Sequence, residues 1–140
     1  MSFLVDTNVV SEPTKPLPNA RAVDWHRAQP GETMYISVLT LGELRRGVLL
    51  LAEGARRRTL ERWLENEIVP YFDGRTFDVD SQIMTTWAEM QNRCRRQGRM
   101  LSTMDSLLAA TALTHGLTVA TRNTADFLAT GVRVVNPWEA

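Results

Sequence analysis

Phe3-Leu4-Val5-Asp6-Thr7-Asn8 sets three apolar residues directly against three short polar ones. The apolar triplet reads as a short buried strand, and Asp6 marks the point where it ends. In open α/β sheets, ligand sites lie outside the carboxyl ends of strands, so polar groups at this junction are placed for chemistry.

Working outward, Pro13-Thr14-Lys15-Pro16-Leu17-Pro18-Asn19 is barred from regular helix or central strand, because its prolines lack donors and restrict their neighbours. Residues 20–28 then read as helix, and Met34-Tyr35-Ile36 as a second strand after the Pro30-Gly31 turn. From Ser37 the apolar period lengthens to three and four, through Leu41, Leu44, Val48 and Leu51, which predicts a core-facing helix closing near Gly54. Leu60, Trp63, Leu64, Ile68, Tyr71 and Phe72 lie on one face of a further helix, and Asp73-Gly74 turns the chain into a strand candidate at residues 76–79. Ser81 is read as the cap of a helix with the stripe Ile83, Trp87, Met90 and Cys94, ending near Gly98. Ser102 opens another helix that closes at His115-Gly116, and strands follow at 117–120 and 132–135. Strands alternating with helices predict an α/β fold, with a short, mostly parallel sheet flanked by helices in three layers. Neither a linker nor an internal repeat divides it, so residues 1–140 are read as one domain.

Composition bounds the function less tightly. The chain has 44% hydrophobic and 23% charged residues, ordinary for a globular protein. Its longest apolar run, residues 48–52, is too short to span a membrane, and the first residues lack a basic and apolar leader, so a cytoplasmic location is expected. The single Cys94 agrees with that compartment and, sitting on an apolar stripe, reads as core. Sixteen basic residues balance sixteen acidic ones, yet Lys15 is the only lysine and the rest are arginines, whose planar guanidinium suits phosphate. Arg56-Arg57-Arg58 with Arg62 reads as a solvated helix face that is also compatible with an RNA or protein surface. His26 and His115 have no Cys or His partner at zinc spacing, which leaves them surface roles. No G-x-S-x-G elbow, P-loop or G-x-G-x-x-G occurs, which disfavours α/β-hydrolase, nucleotide triphosphatase and dinucleotide chemistry.

Four acids occupy positions that matter in such a fold: Asp6 after the first strand, Glu43 two turns into the Ser37 helix, Asp105 in the first turn of the Ser102 helix, and Asp126 after the 117–120 strand. Each also has a structural explanation. Asp6 is placed to cap a helix, Glu43 to pair with Arg46, and Ser102-x-x-Asp105 and Asn123-x-x-Asp126 have capping-box spacing. Thr40-x-x-Glu43 has the same spacing, but Thr40 is a poor cap because the helical stripe already passes through Val38 and Leu41. A phosphatase with an aspartyl nucleophile wants a second Asp at position 8, where this chain has Asn8.

The landmarks Leu4-Val5-Asp6-Thr7-Asn8, Ser37-x5-Glu43-Leu44-x2-Gly47, Asp105-x2-Leu108-Ala109-Ala110-Thr111-Ala112, His115-Gly116-Leu117, Thr121-Arg122-Asn123-x2-Asp126-Phe127 and Val134-Val135-Asn136-Pro137-Trp138 follow one another over nearly the whole chain. Their order and spacing resemble the PIN-domain nucleases, specifically the VapC-type toxins of prokaryotic toxin–antitoxin pairs and their FitB-like branch. The resemblance implies a PIN-like sandwich and an endoribonuclease dependent on Mg²⁺ or Mn²⁺ that hydrolyses RNA phosphodiester bonds. It assigns Asp6, Glu43 and Asp105 as catalytic metal-binding acids. Asp126 is the candidate fourth, with Asn123 or a water held by either as the alternative. It also implies a homodimer and a cognate antitoxin. A PIN-fold binding protein without catalysis, acting through its antitoxin on DNA, is the rival expectation. The chain departs from many relatives at Ser102-Thr103-Met104, a change expected to tune the helix start while leaving the ligand Asp105 in place.

Overall fold

The computed structural model describes residues 1–140. Five parallel strands, β1 (Phe3–Val5), β2 (Met34–Ser37), β3 (Thr76–Phe77), β4 (Thr118–Ala120) and β5 (Val134–Val135), form one sheet in the order β3-β2-β1-β4-β5. The chain winds outward from central β1 to β3, then returns to β4 on the other side. That reversal makes the boundary between β1 and β4 the topological switch point, the crevice where α/β sheets bind ligands.

The helices are α1 (Thr7–Ser11), α2 (Ala20–Ala28), α3 (Val38–Leu49), α4 (Ala55–Trp63), α5 (Val69–Tyr71), α6 (Ser81–Arg96), α7 (Thr103–His115) and α8 (Thr124–Phe127). The side-chain period of two divides the core between the two faces of the sheet. Phe3 and Val5 pack with Val9, Met34, Ile36, Leu44 and Phe72 on one face. Leu4 points the other way, into Met90, Cys94, Leu108, Val119 and Phe127. The three-layer sandwich is as read, and every strand pair is parallel.

Four local readings differ from the structure. Helix α3 ends at Leu49, so Leu51 of its stripe lies beyond it and Gly54 instead stands at the start of α4. The single helix read through residues 60–72 is interrupted by a π-helical turn at Leu64–Ile68, where the Val69 N–H donates to the Leu64 carbonyl. Pro70 supplies the reason, since its ring has no donor and crowds the carbonyl one turn back. Helix α6 is capped by Asp80, whose carboxylate accepts from the Ile83 N–H, and Ser81 becomes its first residue. The edge strands β3 and β5 span only two residues each. His115 lies exposed and stacks on Phe77, whereas His26 is half-buried against Tyr71.

Candidate active site

Asp6 sits at the carboxyl end of β1, where the strand gives way to α1. Its backbone N–H extends the ladder by donating to the Ala120 carbonyl of β4 at 2.9 Å. The residue is 6% exposed, so the carboxylate has traded most of its water for protein donors. Oδ1 accepts from the Thr7 N–H at 2.8 Å and Oδ2 from the Thr121 hydroxyl at 2.7 Å. Thr121 is the matching residue after β4, fully buried, and its oxygen also accepts from Asn8 Nδ2 at 3.4 Å and the Asn123 N–H at 3.0 Å. The Arg122 N–H returns to Asn8 Oδ1 at 3.3 Å. Two short polar segments, one after each strand flanking the switch point, are thereby stitched together around Asp6.

The other acids come from separate helices. Glu43, on the exposed side of α3, accepts from the Thr7 hydroxyl at 3.1 Å, so it is tied to the Asp6 loop and makes no ion pair with Arg46. Asp105 stands in the first turn of α7, and its backbone N–H donates to the capping Ser102 hydroxyl at 3.2 Å. That turn is braced from α6 by Trp87, whose indole N–H donates to the buried Ser106 hydroxyl at 2.9 Å. Asp126 projects from α8, and with Asp105, Ser102, Leu101 and Met100 it lines a cleft of about 240 Å³. Asn123 holds the cap position of α8 without a side-chain cap bond, so the capping-box spacing read there is not used.

The structure brings Asp6, Glu43, Asp105 and Asp126 into one electrostatic neighbourhood. Burial raises Asp6 above the ordinary carboxylate range, the bonds from Thr121 and Thr7 pull the other way, and the charges of Asp105 and Asp126 push it up again. Glu43 is raised by burial and by the charges of Asp6 and Asp105, against the bond from Thr7. Asp105 is raised by burial and by Asp126, against its hydrogen bond with Ser102. Like charges held together resist ionisation unless a cation joins them.

No three His, Cys, Asp or Glu side chains converge closely enough to enclose one metal ion among themselves. The donor set still fits Mg²⁺ or Mn²⁺. All its ligating atoms are hard oxygens, and Mg²⁺ retains several waters while using only one or two carboxylates together with substrate phosphate. An open, oxygen-lined, mutually repelling group suits that mode better than a closed cage.

Thr7, Asn8 and Thr121 received no role from sequence alone. Their signal was present, because both strand ends pass directly into short hydrogen-bonding residues, but which of them pair depends on the adjacency of β1 and β4.

The profile of the family described as PIN domain matches residues 3–132. The chain is 42% identical over 136 residues to toxin FitB of Neisseria gonorrhoeae, covering 97% of this chain and 98% of that one. It is 38% identical over 137 residues to a VapC ribonuclease of Sinorhizobium fredii, covering 98% of each. Among solved structures, FitAcB from Neisseria gonorrhoeae superposes with a TM-score of 0.95 at 41% identity, covering 99% of both chains.

Proposed function

The chain belongs to the PIN-domain family, among the FitB and VapC-type toxins, and from that premise we propose that it is the toxin of a type II toxin–antitoxin pair and a metal-dependent endoribonuclease. The observation that carries the reading is that carboxylates from four separate segments feel one another's charge around the carboxyl end of β1, Asp6 with Asp105 and Asp126, and Glu43 with Asp6 and Asp105. Asp6 and Asp105 would be the direct ligands of Mg²⁺ or Mn²⁺, Glu43 would complete the site, and Asp126 would position water or a second ion. A divalent ion held there would supply positive charge to the scissile phosphate and lower the pKa of a coordinated water.

The chain's own groups set the geometry. Thr121 and Thr7 each occupy one oxygen of Asp6, which fixes the carboxylate plane and leaves each oxygen a free lone pair. Thr7 also holds Glu43 at the same loop, so one residue orients two acids. Asp126, exposed on the cleft wall beside Asp105, takes the fourth corner in preference to Asn123.

The partner is a cognate antitoxin protein, and the chain is expected to form a homodimer. No helix is long and apolar enough to cross a membrane. Cleavage of a structured RNA in Mg²⁺ or Mn²⁺ tests the proposal, comparing wild type with Asp105→Asn. Loss of several kcal/mol of transition-state stabilisation predicts at least about a 100-fold slower reaction for the variant. Equal rates sink the assignment. Growth inhibition that survives Asp6→Asn points to the non-catalytic rival.

A further inference from the structure

The carboxylates at the site repel the polyanion it is proposed to cut, so cationic groups nearby must hold the substrate. Two clusters of arginines, on α4 and at the end of α6, have different surroundings. On α4, Arg57 is paired with Glu61 at 3.0 Å and Arg56 donates to the Thr14 carbonyl, and Glu61, Glu65 and Glu67 follow within the same helical run. On α6 the pattern is opposite. From Met90 to Met104 the chain carries Arg93, Arg95, Arg96 and Arg99 and no acid. All four are exposed, and none joins the molecule's ion pairs, Lys15–Glu12, Arg45–Glu65 and Arg57–Glu61.

Backbone geometry fixes where this cluster sits. Met90 and Cys94 hold the buried face of α6, and Arg93 between them and Arg95 and Arg96 after them are exposed. The helix ends with Gly98 in the left-handed region at φ +68°, and the Arg99 N–H donates to the Cys94 carbonyl at 2.9 Å, a closure that pins Arg99 against the last turn. The next residues, Met100, Leu101 and Ser102, line the cleft with Asp105 and Asp126. The segment that carries these four exposed arginines, none of them in an ion pair, therefore runs directly into the residues that line the carboxylate cleft.

We propose that Arg93, Arg95, Arg96 and Arg99 form the surface that binds the phosphate backbone of single-stranded RNA and delivers it to the Asp105–Asp126 cleft. This rests on the ribonuclease reading and adds to it the face along which substrate enters. Cations at a helix C-terminus also favour the helix dipole, a purely structural role that predicts no effect on RNA.

Binding of a fluorescein-labelled polyuridine oligonucleotide, measured by anisotropy over a salt series, separates the two. The parent protein for binding is the Asp105→Asn variant with EDTA, so that cleavage does not interfere. Replacing Arg93, Arg95, Arg96 and Arg99 by Gln (the α6 variant) weakens binding and flattens the plot of log affinity against log salt by about 0.7 for each phosphate no longer neutralised. The same replacements by Lys restore most of the affinity. Arg21, Arg27, Arg58 and Arg62, also exposed and replaced by Gln, give a control with the same change in net charge and leave the slope unchanged. With Asp105 restored and metal present, the α6 variant raises KM while kcat holds, as for loss of uniform binding. An unchanged salt slope in the α6 variant overturns the proposal, as does an equal loss in the control. If the α6 variant instead keeps RNA binding but loses its antitoxin, the surface serves a protein partner and the proposal fails. Metal-dependent cleavage by wild type with an indifferent α6 face rejects only this surface. Absence of all cleavage by wild type rejects the ribonuclease reading itself.

Discussion

Asp6 answers two opposing demands. Its position as the first turn of α1 forms and its bonds from Thr7 and Thr121 hold the fold together, while burial and neighbouring acids penalise its charge. Because its folded pKa is raised, the contribution of this group to stability is present at pH below the unfolded carboxylate value. It is lost as pH rises through the folded value. In EDTA at neutral pH, Asp6→Asn is therefore expected to melt above wild type, with the gap closing as pH falls into the ordinary carboxylate range. A lower melting temperature for the variant at neutral pH contradicts this. Glu43 and Asp105 are raised in the same direction, so protons compete with metal over the same range, and metal affinity should weaken as pH falls. Thr121→Val leaves Asp6, Asn8 and the Asn123 N–H each short of a partner. A buried group left unpaired costs about 1–3 kcal/mol, and loss of a group orienting a metal ligand typically weakens the metal about 10–100-fold. Urea unfolding and Mn²⁺ calorimetry on Thr121→Val check both; a variant equal to wild type in each removes Thr121 from the site.

Elements whose apolar period is long were legible in the sequence. The α6 stripe and the small, apolar α7 lie where periodicity put them. Gly116 closes α7 at φ +67°, as its place after His115 foretold, and Gly116→Ala is expected to cost about 1 kcal/mol in urea unfolding. A stability unchanged by the substitution speaks against that strain. What escaped the sequence was decided between elements. The π-turn depends on how Leu64 and Phe72 reach one core across Pro70, and periodicity alone does not separate a π-turn from continuous helix. Asp80 and Ser81 are both good caps, and only the backbone at Asp80 selects between them. The same holds at the site. Asp6 and Asp126 were visible as residues following strands, but the bond that ties Glu43 to the Asp6 loop comes from Thr7, a residue 36 positions away.

At the scale of the molecule, the order β3-β2-β1-β4-β5 gathers acids from residues 6, 43, 105 and 126 at one end of the sheet. Charge that weakens the metal-free protein becomes an asset when a cation binds. Mn²⁺ at about 100 times its dissociation constant should raise stability by about 2.7 kcal/mol through mass action. A thermal melt that does not move with Mn²⁺ in wild type argues against a metal site. The 15.8 kDa chain should scatter light as a dimer of twice that mass, and a monomer at all concentrations rejects the homodimer. The central claim is that these carboxylates make a metal-dependent RNA-cleaving centre. It is tested most directly by stripping the purified protein with EDTA and measuring RNA cleavage before and after Mg²⁺ or Mn²⁺ is returned. The account predicts no cleavage when stripped, full recovery with either ion in wild type, and no recovery in Asp105→Asn; cleavage that persists in EDTA, or recovery in Asp105→Asn equal to wild type, contradicts it.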